Sequence, residues 1–156
     1  MFQTKNDLPE STRANVIELL NARLADAIDL QTQTKQAHWN VKGANFIALH
    51  ELFDKINESV EDCVDDLAEC TVQLGGVAHR SVRTVARRSS LVEYPDTAVE
   101  GQAHVGALSS ALAAFGKSAR NAITTANDLG DLDCADLFTG ISRGMDKWLW
   151  FVEAHQ

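Results

Sequence analysis

Residues 46–76, FIALHELFDKINESVEDCVDDLAECTVQLGG, carry apolar side chains at Phe46, Leu49, Phe53, Ile56, Val60, Cys63, Leu67, Cys70 and Leu74, an unbroken alternation of threes and fours. Only an α-helix gathers such positions into one stripe, so the stretch reads as a long helix with one face in a core. Asn45 stands where an N-cap belongs, and Gly75-Gly76 supplies the stop. Upstream, from about Ser11 to about Asn40, Ile17, Leu20, Leu24 and Ala27 keep the same rhythm until Lys42-Gly43 ends it. Downstream, Val105, Leu108, Leu112, Phe115, Ala119, Ala122 and Ala126 mark a third helix from roughly Thr97 to Asn127, and a fourth runs from about Asp133 to Ala154. Val77 to Asp96 is too long for a hairpin between neighbours. It reads as a crossover, with a short helix over Ser81 to Arg88. The expectation is an all-α chain, a four-helix bundle with one long crossover.

At 156 residues and 45% hydrophobic content, the chain makes a single domain over 1–156 with a core of its own, residues 1–10 forming a short N-terminal extension. Nine glycines and two prolines are few, and no alternating β-branched runs compete with the helical reading. No apolar run approaches the roughly 20 residues that a membrane span needs, and no basic-then-apolar leader opens the chain, so a cytoplasmic location is expected. Three cysteines cannot all pair and none sits in Cys-x-x-Cys, which argues against a disulfide scaffold or a zinc knuckle. Cys63 and Cys70 fall on the apolar stripe and read as small buried hydrophobes, and Met145, Trp148, Trp150 and Phe151 as the aromatic core end of the last helix. A net charge of −8 points away from polyanions and towards cations.

The polar residues of the long helix carry the chemistry. At 100° per residue, His50, Asp54, Asp65 and Glu69 fall on an arc about 150° from the apolar stripe, and therefore face away from the subunit's own core. His50 and Glu69 are separated by roughly 28 Å of helix, so one chain cannot gather all four around one metal. Two chains can. If the helix packs antiparallel on its copy about a two-fold axis passing between Ser59 and Val60, His50 meets Glu69 and Asp54 meets Asp65, and the isologous contact makes two such sites. His38 ends the preceding helix one short loop away and joins the His50 and Asp54 half. Two imidazoles with three carboxylates form a hard, mixed nitrogen and oxygen set suited to iron or manganese, the imidazoles disfavouring magnesium or calcium. An inward-facing di-iron bundle would show Glu-x-x-His, and none occurs in this chain.

The segments His38 to Gly43, Phe46, His50-Glu51-Leu52-Phe53-Asp54, Asp65 with Glu69, Gln73 to Gly76, Tyr94-Pro95, Ala135-Asp136-Leu137 and Asp146 to Phe151 together resemble the Dps family, the DNA-protecting mini-ferritins. The resemblance spans about Asp7 to His155. It implies a ferritin-like fold and a hollow homo-dodecamer that oxidises Fe(II), preferably with hydrogen peroxide rather than oxygen, and stores ferric mineral. It also implies ferroxidase ligands at His38, His50 and Asp54 of one subunit with Asp65 and Glu69 of its two-fold mate, in agreement with the arc.

Trp39 directly follows the first ligand. It reads either as interface filler or as a catalytic-site residue that intercepts radicals leaving the iron centre. Asp128, Asp131, Asp133 and Asp136 exceed what capping requires, although Asp133 suits an N-cap. The resemblance makes this region the lining of three-fold pores, with Asp128, Asp131 and Asp136 as iron-attracting acids. His79, His104 and His155 have no partner at ligand spacing and read as structural or solvent-facing.

Direct DNA binding is not expected, because the segment ahead of the first helix holds only Lys5 against Asp7 and Glu10, and the total charge repels phosphate. Arg80, Arg83, Arg87 and Arg88 are the one basic concentration, read as pairing with acids at subunit contacts. A nucleoid-compacting structural protein with incidental iron binding, and a dinuclear redox enzyme without storage, are the competing classes.

Overall fold

The threes-and-fours rhythm folds, in the computed structural model describing residues 1–156, into five helices and no strand. They are α1 (Glu10–Asn40), α2 (Phe46–Gln73), α3 (Val82–Arg88), α4 (Gly101–Asp128) and α5 (Leu132–Glu153). The helix α1 packs along α2 and α4 along α5, with α1 against α4 and α2 against α5 closing the bundle and α3 lying on α1. Phe53, Phe115, Phe138, Leu20, Leu24, Leu30 and Leu67 are fully buried where these helices meet.

The crossover runs the length of the bundle. Lys42 N–H donates to Val99 O at 3.0 Å and Gly101 N–H to Lys42 O at 3.2 Å, which puts the start of α4 beside the α1–α2 turn. The chain leaving α2 must therefore travel back about 40 Å, the length of a helix of this size at 1.5 Å per residue. Polar side chains of α1 guide it. Asn21 Nδ2 donates to Val77 O at 3.0 Å while its Oδ1 accepts from His79 N at 3.0 Å. Fully buried Asp26 accepts from Ser90 N at 2.7 Å and faces Arg23 Nε at 3.0 Å, and Gln33 donates to Val92 O at 3.1 Å. The Tyr94 hydroxyl lies 2.5 Å from His104 Nδ1, tying the crossover to α4. A helix so engaged on several sides needs polar groups on its inner faces, since buried backbone donors and acceptors require partners.

Several expectations are corrected. On α2 the buried set is Leu49, Phe53, Ile56, Asn57, Val60, Val64, Leu67 and Thr71. Phe46 is exposed, and Cys63 and Cys70 are only half-buried. A strict 3.5-residue repeat drifts by about 20° per heptad on a straight helix, so the core seam moves from Cys63 and Cys70 to their C-terminal neighbours. Asp131, not Asp133, caps α5, its carboxylate accepting from Cys134 N at 2.9 Å. The third long helix starts at Gly101 rather than Thr97, because Val99 and Glu100 stay extended to pair with Lys42. Trp150 is 66% exposed, leaving Met145 as the buried member of its group with Trp148 and Phe151 at the margin. His104 is wholly buried and structural, and burial lowers its pKa. The non-helical lead lies along the end of α2, with Phe2 N–H donating to Gly75 O at 2.7 Å.

Candidate metal centre

His38 occupies the last turn of α1 and His50 the second turn of α2, and the turn between them is tight because Gly43 adopts φ +111, a conformation that side chains resist. The two rings stack with centroids 3.8 Å apart and planes 21° off parallel. Their hydrogen bonds are reciprocal. His38 Nδ1 donates to His50 O and His50 Nδ1 donates to His38 O, both at 2.8 Å. A carbonyl only accepts, so each Nδ1 must carry the proton, and each Nε2 is left with a free lone pair. This is the arrangement by which a metal-binding imidazole has its tautomer and ring plane fixed from behind.

One turn beyond His50, Asp54 Oδ1 lies 3.8 Å from His38 Nδ1 and is bonded to Lys35 Nζ. That lysine hydrogen bond, with the charge of Lys35 and that of the two imidazoles in their acid, protonated form, outweighs desolvation and holds the Asp54 carboxyl below its usual 3.8. Asp54 is thus an anion paired with a cation on a half-exposed surface. Lys35 was not legible as a site residue, although its place one turn ahead of His38 on α1 is a usable signal.

Asp65 and Glu69 lie farther along α2, exposed on its outward side as the helical arc requires. About 16 Å of helix separates Asp54 from Asp65 at 1.5 Å per residue. Within one subunit no three His, Cys, Asp or Glu side chains gather round a common point. His38, His50 and Asp54 therefore form one open group, and Asp65 with Glu69 a second. Trp39 is 71% exposed and borders a hollow lined by Gln31, Lys35, Asn57 and Glu61, so it fills nothing within its own subunit.

The acidic cluster divides. Asp128, Asp133 and Asp136 are exposed, whereas Asp131 is buried and engaged as the α5 cap. Asp133 and Asp136 share a depression with Asp66, Glu69 and Cys70, a link between the acidic turn and the second ligand group that spacing did not reveal. In the crossover, Arg88 pairs with Glu18, while Arg80, Arg83 and Arg87 are exposed without an ion pair in the subunit. No helix is long and apolar enough to cross a membrane.

Comparison with known proteins agrees with this frame. The Ferritin-like domain family model matches residues 17–156. A DNA protection during starvation protein of Agrobacterium fabrum is 44% identical over 153 residues, covering 98% of this chain and 94% of the relative. The solved structure of Mycobacterium smegmatis Dps superposes with a TM-score of 0.93 at 31% identity, covering 98% of this chain and 93% of that one. DpsC from Streptomyces coelicolor superposes at 0.94 with 30% identity, covering 98% and 90%. With a family model spanning nearly the whole chain, and relatives of this identity and coverage, the chain belongs to the Dps family of ferritin-like proteins.

Proposed function

We propose that this protein is a mini-ferritin that oxidises Fe(II), with hydrogen peroxide as the preferred oxidant over oxygen, and stores ferric mineral in a hollow dodecamer. By removing both reactants of radical chemistry in the cytoplasm, it protects DNA. The observation that carries the reading is the reciprocal His38–His50 pair with Asp54 beside it, a half-site of oriented lone pairs that one subunit leaves open.

In this reading, Asp65 and Glu69 of a two-fold mate complete each site. Fe(II) is the substrate, taken up by two neutral imidazole Nε2 atoms and three carboxylates. Carboxylates grip Fe(III) more strongly than Fe(II), so the ligand set favours the oxidised state as charge rises. Few protein donors leave coordination positions for the oxidant. Lys35 balances Asp54 in the absence of iron and must yield it on binding. In the same reading Trp39, next to His38 in the chain, takes up stray oxidising equivalents, and Asp128, Asp131 and Asp136 around the α4–α5 turn supply the negative field that draws Fe(II) inward.

Subunit mixing tests the shared site. His50→Ala and Asp65→Ala proteins should each lose rapid Fe(II) oxidation, and co-assembled mixtures should regain it, because each mixed pair restores one intact site of two. Failure of proven mixed assemblies to regain activity would refute the shared site. The exposure of Arg80, Arg83 and Arg87 favours one second reading, a DNA-compacting protein with incidental iron binding. A gel shift abolished by replacing these arginines would support it.

A further inference from the structure

We propose that Cys70 and Cys134 form a dithiol that reduces hydroperoxides by two electrons, closing a reversible disulfide between α2 and α5. Their Sγ atoms lie 3.1 Å apart, inside van der Waals contact, although the residues are 64 positions apart in the chain. Both ends are held. Cys70 occupies the last turn of α2, and Cys134 the first turn of α5, where Asp131 caps its amide at 2.9 Å. Closing a disulfide of about 2.05 Å requires the sulfurs to approach by roughly one further ångström, within the reach of side-chain rotation.

Accessibility assigns the roles. Cys134 is buried, whereas Cys70 is half-buried and lines the depression shared by Asp66, Glu69, Asp133 and Asp136. Cys70 is therefore the attacking sulfur and Cys134 the resolving one. Cys70, as its thiolate, attacks one peroxide oxygen; the O–O bond breaks, the other oxygen leaves as water or an alcohol after taking a proton, and Cys70 becomes a sulfenic acid. Cys134 Sγ then attacks Cys70 Sγ, the S–O bond breaks, and hydroxide leaves with the Cys134 proton as water. Two thiols lose two electrons and the peroxide gains them. Any dithiol reductant restores the pair. Cys63, two turns earlier on α2, has no sulfur partner and serves as an internal control.

This chemistry needs no metal, so it stands apart from the iron reading and is tested on iron-free, assembled full-length protein with chelator present. After one equivalent of hydrogen peroxide per chain, alkylation in denaturant should label one thiol of the three, Cys63. Peptide mapping should find Cys70 joined to Cys134 within a chain, and dithiothreitol should reverse it. Cys134→Ser protein should stop at a Cys70 sulfenic acid that dimedone traps, and Cys70→Ser should lose the metal-free peroxide consumption. Three titratable thiols after exposure, a link between chains, or Cys70→Ser consuming peroxide as fast as the parent would each overturn the proposal. Because Cys70→Ser keeps His38, His50 and Asp54, its iron oxidation reports separately on the shared site.

Discussion

At the scale of single residues, the central observation is that two imidazoles hold each other through backbone carbonyls, leaving both Nε2 atoms free. Lys35 modifies this site by pairing with Asp54. Lys35→Met should return the Asp54 carboxyl titration upward towards 3.8, read by carboxyl NMR. Asp54 has a depressed pKa, so its ion pair persists above 3.8 and is lost as pH falls through the folded value. The same variant should bind Fe(II) severalfold more tightly, as removal of a competing, half-exposed cation predicts. Unchanged titration would show that Lys35 is not the cause. The closeness of His38, His50 and Asp54 and the outward exposure of Asp65 and Glu69 were legible because chain proximity and helical angle leave marks in spacing. Lys35 and the Cys70–Cys134 contact were not, since both depend on which helix lies opposite, and that is decided by packing between elements.

At the scale of elements, close approach and drift govern what the pattern could reveal. The end of α2 presses on α1 so tightly that a Cβ at Gly76 would sit 2.8 Å from both Ile17 Cγ2 and Thr71 O. The second contact is backbone and cannot swing aside. Gly76→Ala should cost about 1–3 kcal/mol in denaturant unfolding, the scale of overpacking. The four long helices and the crossover were legible in the repeat itself, but the one-residue shift of the α2 seam was not, because threes and fours fit periods of 3.5 and 3.6 equally over a few turns. The path of the crossover was equally hidden. It rests on Asn21, Asp26 and Gln33, which in a sequence look like solvated residues of an amphipathic helix. His104, buried against Tyr94, adds a pH dependence. Burial lowers its pKa below 6.5, so the unfolded chain binds the extra proton first. Stability present above pH 6.5 should therefore decline as pH falls below it, and His104→Gln should flatten that part of a melting-temperature profile between pH 7 and 5.

At the scale of the whole molecule, charge and symmetry set the expectations. With −8 per chain, assembled protein should not retard duplex DNA at neutral pH and moderate salt, yet should suppress DNA cleavage by Fe(II) and peroxide, because chemical protection needs no contact. A gel shift that weakens steeply with salt and disappears in an Arg80, Arg83 and Arg87 triple variant would overturn this. If the two-fold site is correct, metals soaked into crystals should appear in pairs roughly 20–25 Å apart, each centre lying seven or eight helical positions from the axis. Both expectations turn on surfaces that a single subunit leaves uncovered. The scattering of donors, with no three converging in one chain, has a bearing on the life of the protein in the cell. If Asp65 and Glu69 of a mate complete each iron site, a newly released subunit can fold completely and still not oxidise iron, so iron oxidation becomes a concentration-gated property that appears only when partners meet. Dilution below the dimer's dissociation constant should switch oxidation off without unfolding a single helix, and the rate at limiting protein should rise with the square of subunit concentration.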